Sequence, residues 1–87
     1  MSWIVYILKC GDGSLYTGIT NDIEKRLAAH RNGLGAKYTK GRGPLSLIYQ
    51  EPHPDRSEAS KREMIIKKLN KQRKFELVRN ADTQTND

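Results

Sequence analysis

Tyr6, Tyr16, Arg26, His30 and Glu63 are the side chains of this sequence best suited to do chemistry together. Arg26 offers a planar fork of donors that matches phosphate oxygens, which a lysine does not reproduce. The tyrosines bring phenols, which stay protonated at neutral pH because an unperturbed phenol titrates near pH 10. Arg26 and His30 stand four residues apart, so on a helix they share a face, one turn from each other. Each residue also has a plainer role. Strand tyrosines commonly pack into cores, helical Arg and His commonly face solvent, and Glu63 can pair with Lys67 one turn along. Cys10, the single cysteine, forms no internal disulfide and no thiolate cluster by itself.

The tyrosines lie in two strand candidates, WIVYIL at residues 3–8 and SLYTGIT at 14–20, separated by KCGDG. The arrangement predicts a β-hairpin. An odd-length loop, Gly11 to Gly13 or Cys10 to Ser14, sets Tyr6 opposite Gly18 and Tyr16 opposite Leu8. Both phenols then project from one face as a diagonal pair. A two-residue loop would send them to opposite faces. Gly18, facing Tyr6, is predicted to leave room beside the phenol for water or a phosphate oxygen; a bulge or tight packing against a helix is the competing explanation.

Downstream, Asn21 is predicted to cap a helix from Asp22, with Glu24 completing a capping box and Ile23, Leu27 and Ala28 buried. Asn32-Gly33 ends it. NGLGAKYTKGRGP, residues 32–44, reads as a long loop, either one with Lys37, Lys40 and Arg42 placed to clamp a polyanion and Tyr38 placed to stack on a base, or a merely flexible connection. LSLIYQ, residues 45–50, reads as a third strand, followed by a turn at EPHP. Asp55 caps a second helix with Glu58 three residues on, its apolar side formed by Ala59, Met64, Ile65, Ile66 and Leu69. The pattern breaks near Asn70 and resumes as a short last helix through Phe75, Leu77 and Val78. Residues 80–87 read as a polar, disordered tail to a single domain over 1–79.

With 87 residues and 36% hydrophobic content, one compact domain is expected, and no apolar run approaches the roughly 20 residues of a membrane span. A soluble cytoplasmic protein with no membrane partner follows. Residues 61–79 hold eight Lys or Arg against two Glu, equal to the whole formal excess of +6. Such a segment favours a polyanion, nucleic acid ahead of an anionic membrane surface, with Lys67 and Lys71 among its phosphate contacts. A solvated helical face is the plainer alternative.

A tyrosine in a first strand, Tyr-x-Gly in its hairpin partner, Arg and His on the next helix, and Glu on a later one resemble the GIY-YIG nuclease superfamily. Ile4-Val5-Tyr6 and Tyr16-Thr17-Gly18 are the two named elements here. Through VYILKCGDGSLYTGIT, RLAAH, GAKYT and KREMIIKKL the chain is most similar to the small single-domain bacterial UPF0213 group. The resemblance spans residues 3–79. It implies an α+β fold, a three-stranded antiparallel sheet flanked by helices in the order β-β-α-β-α-α, and an endonuclease that hydrolyses DNA phosphodiester bonds with one divalent metal, Mg²⁺ or Mn²⁺. Carried over by position, Tyr6 is the general base or the group that positions the attacking water. Tyr16 orients that water or a phosphate oxygen, Arg26 stabilises phosphate charge, His30 handles protons or contacts phosphate, and Glu63 binds the metal.

Many members carry a late asparagine after a Pro-x-Tyr-like segment; here KLNKQRKFELV stands instead, and neither Asn70 nor Asn80 has that context. The appended specificity domain of repair and homing members is also missing, so nothing in the chain reads a DNA sequence. Selection then rests on the shape of branched or damaged DNA, or on a protein partner that supplies targeting. The rivals are a non-catalytic nucleic-acid-binding module and a partner-binding subunit on the same fold.

Overall fold

A computed structural model describes residues 2–85. The order is β1 (Trp3–Lys9), β2 (Leu15–Thr20), α1 (Ile23–Arg31), β3 (Ser46–His53), α2 (Arg56–Lys67) and α3 (Lys71–Thr85). The strands form one antiparallel sheet in the order β2-β1-β3, which is the α+β architecture expected.

β1 is the central strand, and its run Val5-Tyr6-Ile7-Leu8 is buried on both faces. Alternation divides that run between two tasks. Val5 and Ile7 join Ala59 and Ile66 of α2 in the apolar core, with Trp3, Leu15, Ile19, Ile48, Tyr49, Leu77 and Val78 packed around them. Tyr6 and Leu8 face the other way.

The hairpin closes through Cys10 and Ser14, where Cys10 N donates to Ser14 O at 2.8 Å, and Gly13 N donates to Cys10 O at 2.9 Å. Gly13 has φ +86°, the left-handed position that a three-residue loop needs and glycine occupies without strain. The loop is therefore odd. Tyr6 pairs with Gly18 and Leu8 with Tyr16.

Five local expectations change. Asp22, not Asn21, caps α1: its side chain accepts from Lys25 N at 3.1 Å, so Glu24 falls one position short of a capping box. Ala28 is exposed, and His30 is the buried residue of this helix. β3 runs on through Glu51-Pro52-His53 instead of turning at EPHP; it is an edge strand, where proline's missing N–H costs no ladder bond. On α2, Asp55 caps as expected, accepting from Glu58 N at 2.9 Å, but Met64 and Ile65 are exposed at 59% and 54%. Residues 80–85, expected as tail, are the last turns of α3, and residues 86–87 lie outside the described residues. No helix among the described residues is long and apolar enough to cross a membrane.

Candidate active site

The hairpin register sets both phenols on the sheet face away from the apolar core, with ring centroids 6.3 Å apart. Gly18 makes this packing feasible in a way the sequence did not indicate. A Cβ built on Gly18 would lie 2.6 Å from Tyr6 Oη, 2.8 Å from its Cζ and 3.1 Å from Tyr16 Cε2. The space expected to admit water or phosphate is filled by the Tyr6 phenol itself, lying across the β2 backbone.

α1 crosses this face and delivers Arg26 and His30 to the same hydroxyl. Arg26 Nε donates to Tyr6 Oη at 3.3 Å, and Tyr6 Oη lies 2.8 Å from His30 Nε2. A guanidinium can only donate, so of these two partners only the imidazole is able to accept the phenol's own hydrogen. Burial pushes the Tyr6 phenol above its ordinary value, opposed by the Arg26 hydrogen bond and reinforced by the charges of Tyr16 and Glu63. Burial and the nearby Arg26 charge push His30 below its usual range, so it stands neutral and able to accept a proton at neutral pH. Arg26 is held firmly in its charged form by the hydrogen bond to Tyr6.

The 32–44 loop backs the site. Arg26 Nη2 donates to Gly35 O at 2.9 Å, and Thr39 Oγ1 lies 2.8 Å from His30 Nδ1. A Cβ on Gly35 would sit 2.4 Å from that nitrogen, so only glycine lets the loop approach so closely. The hairpin turn anchors the loop in its turn: Gly11 N donates to Arg42 O at 2.6 Å, and Arg42 Nη1 donates to Asp12 Oδ2 at 2.5 Å. Hydrogen bonds from Ser14, aided by Arg42, hold the Asp12 carboxyl down at about 2.

Of the loop residues expected to meet nucleic acid, Lys37 and Lys40 are exposed. Tyr38 stacks on Tyr16 with centroids 5.9 Å apart, and Arg42 lies 4.6 Å from the Tyr38 ring centre, so both already have partners inside the protein. Gly35 and Thr39 were missed by sequence reasoning. Their signal was present in the glycine spacing and the GAKYT segment, but a polar loop residue shows its burial only once the loop has folded.

Glu63 is half-buried on α2 and pairs with Lys67 at 3.4 Å, the plainer role foreseen for it. Its charge nonetheless reaches Tyr6. Among the described residues no three His, Cys, Asp or Glu gather as a metal site. A hard cation such as Mg²⁺ keeps most of its waters and needs only one or two protein carboxylates, so the donor set fits a hydrated ion held by Glu63. Lys67 also lines a cleft of about 340 Å³ with Leu15, Tyr16, Thr17, Tyr38 and Lys74. Lys71 and Lys74 line an adjoining cleft of about 230 Å³ with Ser14, Leu15 and Tyr38. A lysine-lined groove therefore opens beside Tyr16 along β2, an edge strand, and Lys74 is a member that sequence reasoning did not single out.

A second polar cluster lies on the core side of the sheet. Glu51 accepts from Arg62 Nε at 2.7 Å and from the Tyr49 hydroxyl, with His53 Nε2 2.9 Å away. Burial opposes ionisation of Glu51, but the hydrogen bonds from Tyr49, His53 and Arg62 win and hold the carboxyl below its ordinary range; Tyr49 is pushed up to about 12, by burial and then by Glu51. Every member is satisfied by another, which suits fastening β3 to α2.

The family described as GIY-YIG catalytic domain matches residues 2–76. A UPF0213 protein of Clostridium perfringens is 58% identical over 74 residues, covering 85% of this chain and 80% of the relative. One from Staphylococcus saprophyticus is 57% identical over 74 residues, covering 85% and 90%. Among solved structures, a UPF0213 protein of Bacillus halodurans is 46% identical with a TM-score of 0.58, covering 90% of this chain and 83% of that one. A protein from E. faecalis is 44% identical with a TM-score of 0.61, covering 88% and 83%.

Proposed function

This chain belongs to the GIY-YIG family and, within it, to the UPF0213 proteins, and from that premise we propose that it is a metal-dependent endonuclease hydrolysing DNA phosphodiester bonds. The observation that carries the reading is the Tyr6 hydroxyl held between the Arg26 guanidinium and the His30 imidazole. Phosphodiester hydrolysis needs a nucleophile relieved of its proton and a phosphate relieved of its charge. Tyr6 is the proton carrier: as it takes a proton from the attacking water, its own passes to His30 Nε2. No phenolate need accumulate, which matters because burial disfavours one here.

Tyr6 is fully buried, whereas Arg26 and Tyr16 are only half-buried, so substrate meets the latter two first, and the attacking water reaches the Tyr6 hydroxyl as Arg26 gives up its bond to it for the phosphate. Arg26 turns its fork to the phosphate, and Tyr16 orients the water or a phosphate oxygen. Glu63 would hold the divalent cation, Mg²⁺ or Mn²⁺, which supplies Lewis-acid charge neutralisation at the phosphate when bound. The groove of Lys67, Lys71 and Lys74 receives neighbouring phosphates, with the exposed Lys37 and Lys40 adding charge. These contacts position a backbone without reading bases, so DNA shape, branched or damaged, sets preference. A binding module would have no use for a buried phenol bonded to a neutral imidazole. The test is incubation of branched and linear DNA with and without Mg²⁺ or Mn²⁺. Cleavage should depend on metal, fall off on the acid side as His30 becomes protonated and level off above neutral pH, and be abolished by Tyr6→Phe and Glu63→Ala; equal products from wild type and either variant would refute the assignment.

A further inference from the structure

The hydrogen bonds behind His30 determine more than its position. Thr39 is 2% exposed, and its single hydroxyl hydrogen has two claimants, Ala36 O at 3.2 Å and His30 Nδ1 at 2.8 Å. If the hydrogen went to Nδ1, the ring hydrogen would sit on Nε2 and point at Tyr6 Oη. That oxygen already receives Arg26 Nε–H, and among the described residues the phenol's own hydrogen has no other acceptor. A buried O–H would then be orphaned, at a cost of about 1 to 3 kcal/mol. If Thr39 instead donates to Ala36 O, Nδ1–H donates to Thr39 Oγ1, Nε2 is a lone pair, and Tyr6 O–H donates to it. Every donor is satisfied in one arrangement only.

We propose that Thr39 is a positioning residue that fixes His30 as its Nδ1–H tautomer, so that Nε2 faces Tyr6 as a proton acceptor. The proposal rests on the proton-carrier reading of Tyr6 and adds to it the group that orients the base. The same contact serves the protonated ring: when His30 has taken the phenol's proton on Nε2, Nδ1–H still has Thr39 Oγ1 to donate to. An orienting acceptor on the far nitrogen is what a catalytic imidazole requires to present the correct nitrogen. The loop is built to supply it. Thr39 is carried by a segment pinned at Arg42 to the hairpin turn, and Gly35 lets that segment close against Nδ1.

The experiment combines ¹⁵N spectra of histidine-labelled protein with DNA cleavage kinetics in Mn²⁺. Wild type should show His30 as the Nδ1–H tautomer. Thr39→Ser should keep both the tautomer and a kcat within about threefold of wild type, whereas Thr39→Val should populate the Nε2–H form and lower kcat about tenfold or more with KM little changed. An Nε2–H tautomer in wild type, or a folded Thr39→Val protein with unchanged tautomer and kcat, would overturn the proposal. Should Thr39→Val fail to fold, the wild-type and Thr39→Ser spectra decide it. If wild type cleaves no DNA, the endonuclease reading fails, while the tautomer spectra still decide the role of Thr39.

Discussion

Gly18→Ala tests whether the site is built on the contact between the Tyr6 phenol and the β2 backbone. The new Cβ would lie 2.6 Å from Tyr6 Oη and 2.8 Å from Cζ, and relief to ordinary van der Waals separation requires a shift of about 0.8 Å. A displacement of that size stretches or compresses the 2.8 Å bond to His30 beyond useful geometry. Overpacking costs about 1 to 3 kcal/mol and the lost hydrogen bond about 1 more. The variant should therefore lose about 2 to 4 kcal/mol, a fall in Tm on the order of 10 to 30 °C for a domain of this size. Thermal melts by circular dichroism measure it, and the cycle with Tyr6→Phe apportions it. Removing Oη deletes the shortest contact and the His30 bond together, so Gly18→Ala should cost at least about 1 kcal/mol less in the Tyr6→Phe background. A melt within about 2 °C of wild type, or equal losses in both backgrounds, would refute the reasoning.

Three further outcomes are expected. His30 sits below its ordinary value, so its neutral form stabilises the fold fully above about pH 6.5 and that contribution is lost as pH falls through 6.5 toward the lowered folded value; urea melts between pH 7 and 5 should show it, and His30→Gln should flatten that slope. DNA affinity should fall steeply with salt, and Lys71→Ala and Lys74→Ala should each reduce the slope of log K against log salt by about 1, measured by fluorescence anisotropy. Thr17 Oγ1 is buried without a partner among the described residues, so Thr17→Val should be neutral or stabilising by up to about 1 kcal/mol in melts; a loss above about 1 kcal/mol would show that the hydroxyl is satisfied after all.

Much of the fold was legible because strand parity leaves few choices. Once Gly11 and Gly13 set an odd loop, Tyr6 had to face Gly18, and the pairing of the two phenols followed. The cap of α1 was less legible, since Asn21 and Asp22 are both good caps. Thr20 decides it: Asp22 N donates to Thr20 Oγ1 at 3.1 Å and Thr20 Oγ1 donates to Asp22 O at 3.2 Å, closing a local turn that starts the helix one residue later. Met64-Ile65-Ile66 carries no period of its own, so which of the three turns inward depended on the sheet beneath. α2 buries Ala59 and Ile66, two turns apart, and leaves Met64 and Ile65 in solvent. The site divided the same way. Side chains on regular elements were placed by period, whereas the burial of Thr39 and the approach of Gly35 depend on how a 13-residue loop closes.

The division of β1 between two faces lets stability and chemistry be separated. Val5 and Ile7 contribute to the apolar core with α2, while Tyr6, between them in sequence, faces α1 and the loop. Substitutions of Val5 or Ile7 should act mainly on the melt, because the residues they touch do not bond to the phenol. Arg42 belongs to neither face. It pins the loop to the hairpin turn through Asp12 and lies over Tyr38, itself stacked on Tyr16. Loosening that latch would free Thr39 and Gly35 together, and with them the supports of His30 and Arg26. The hairpin turn therefore does two jobs: its length sets the phenols on one face, and its Gly11 and Asp12 hold the loop that keeps the imidazole aimed at Tyr6.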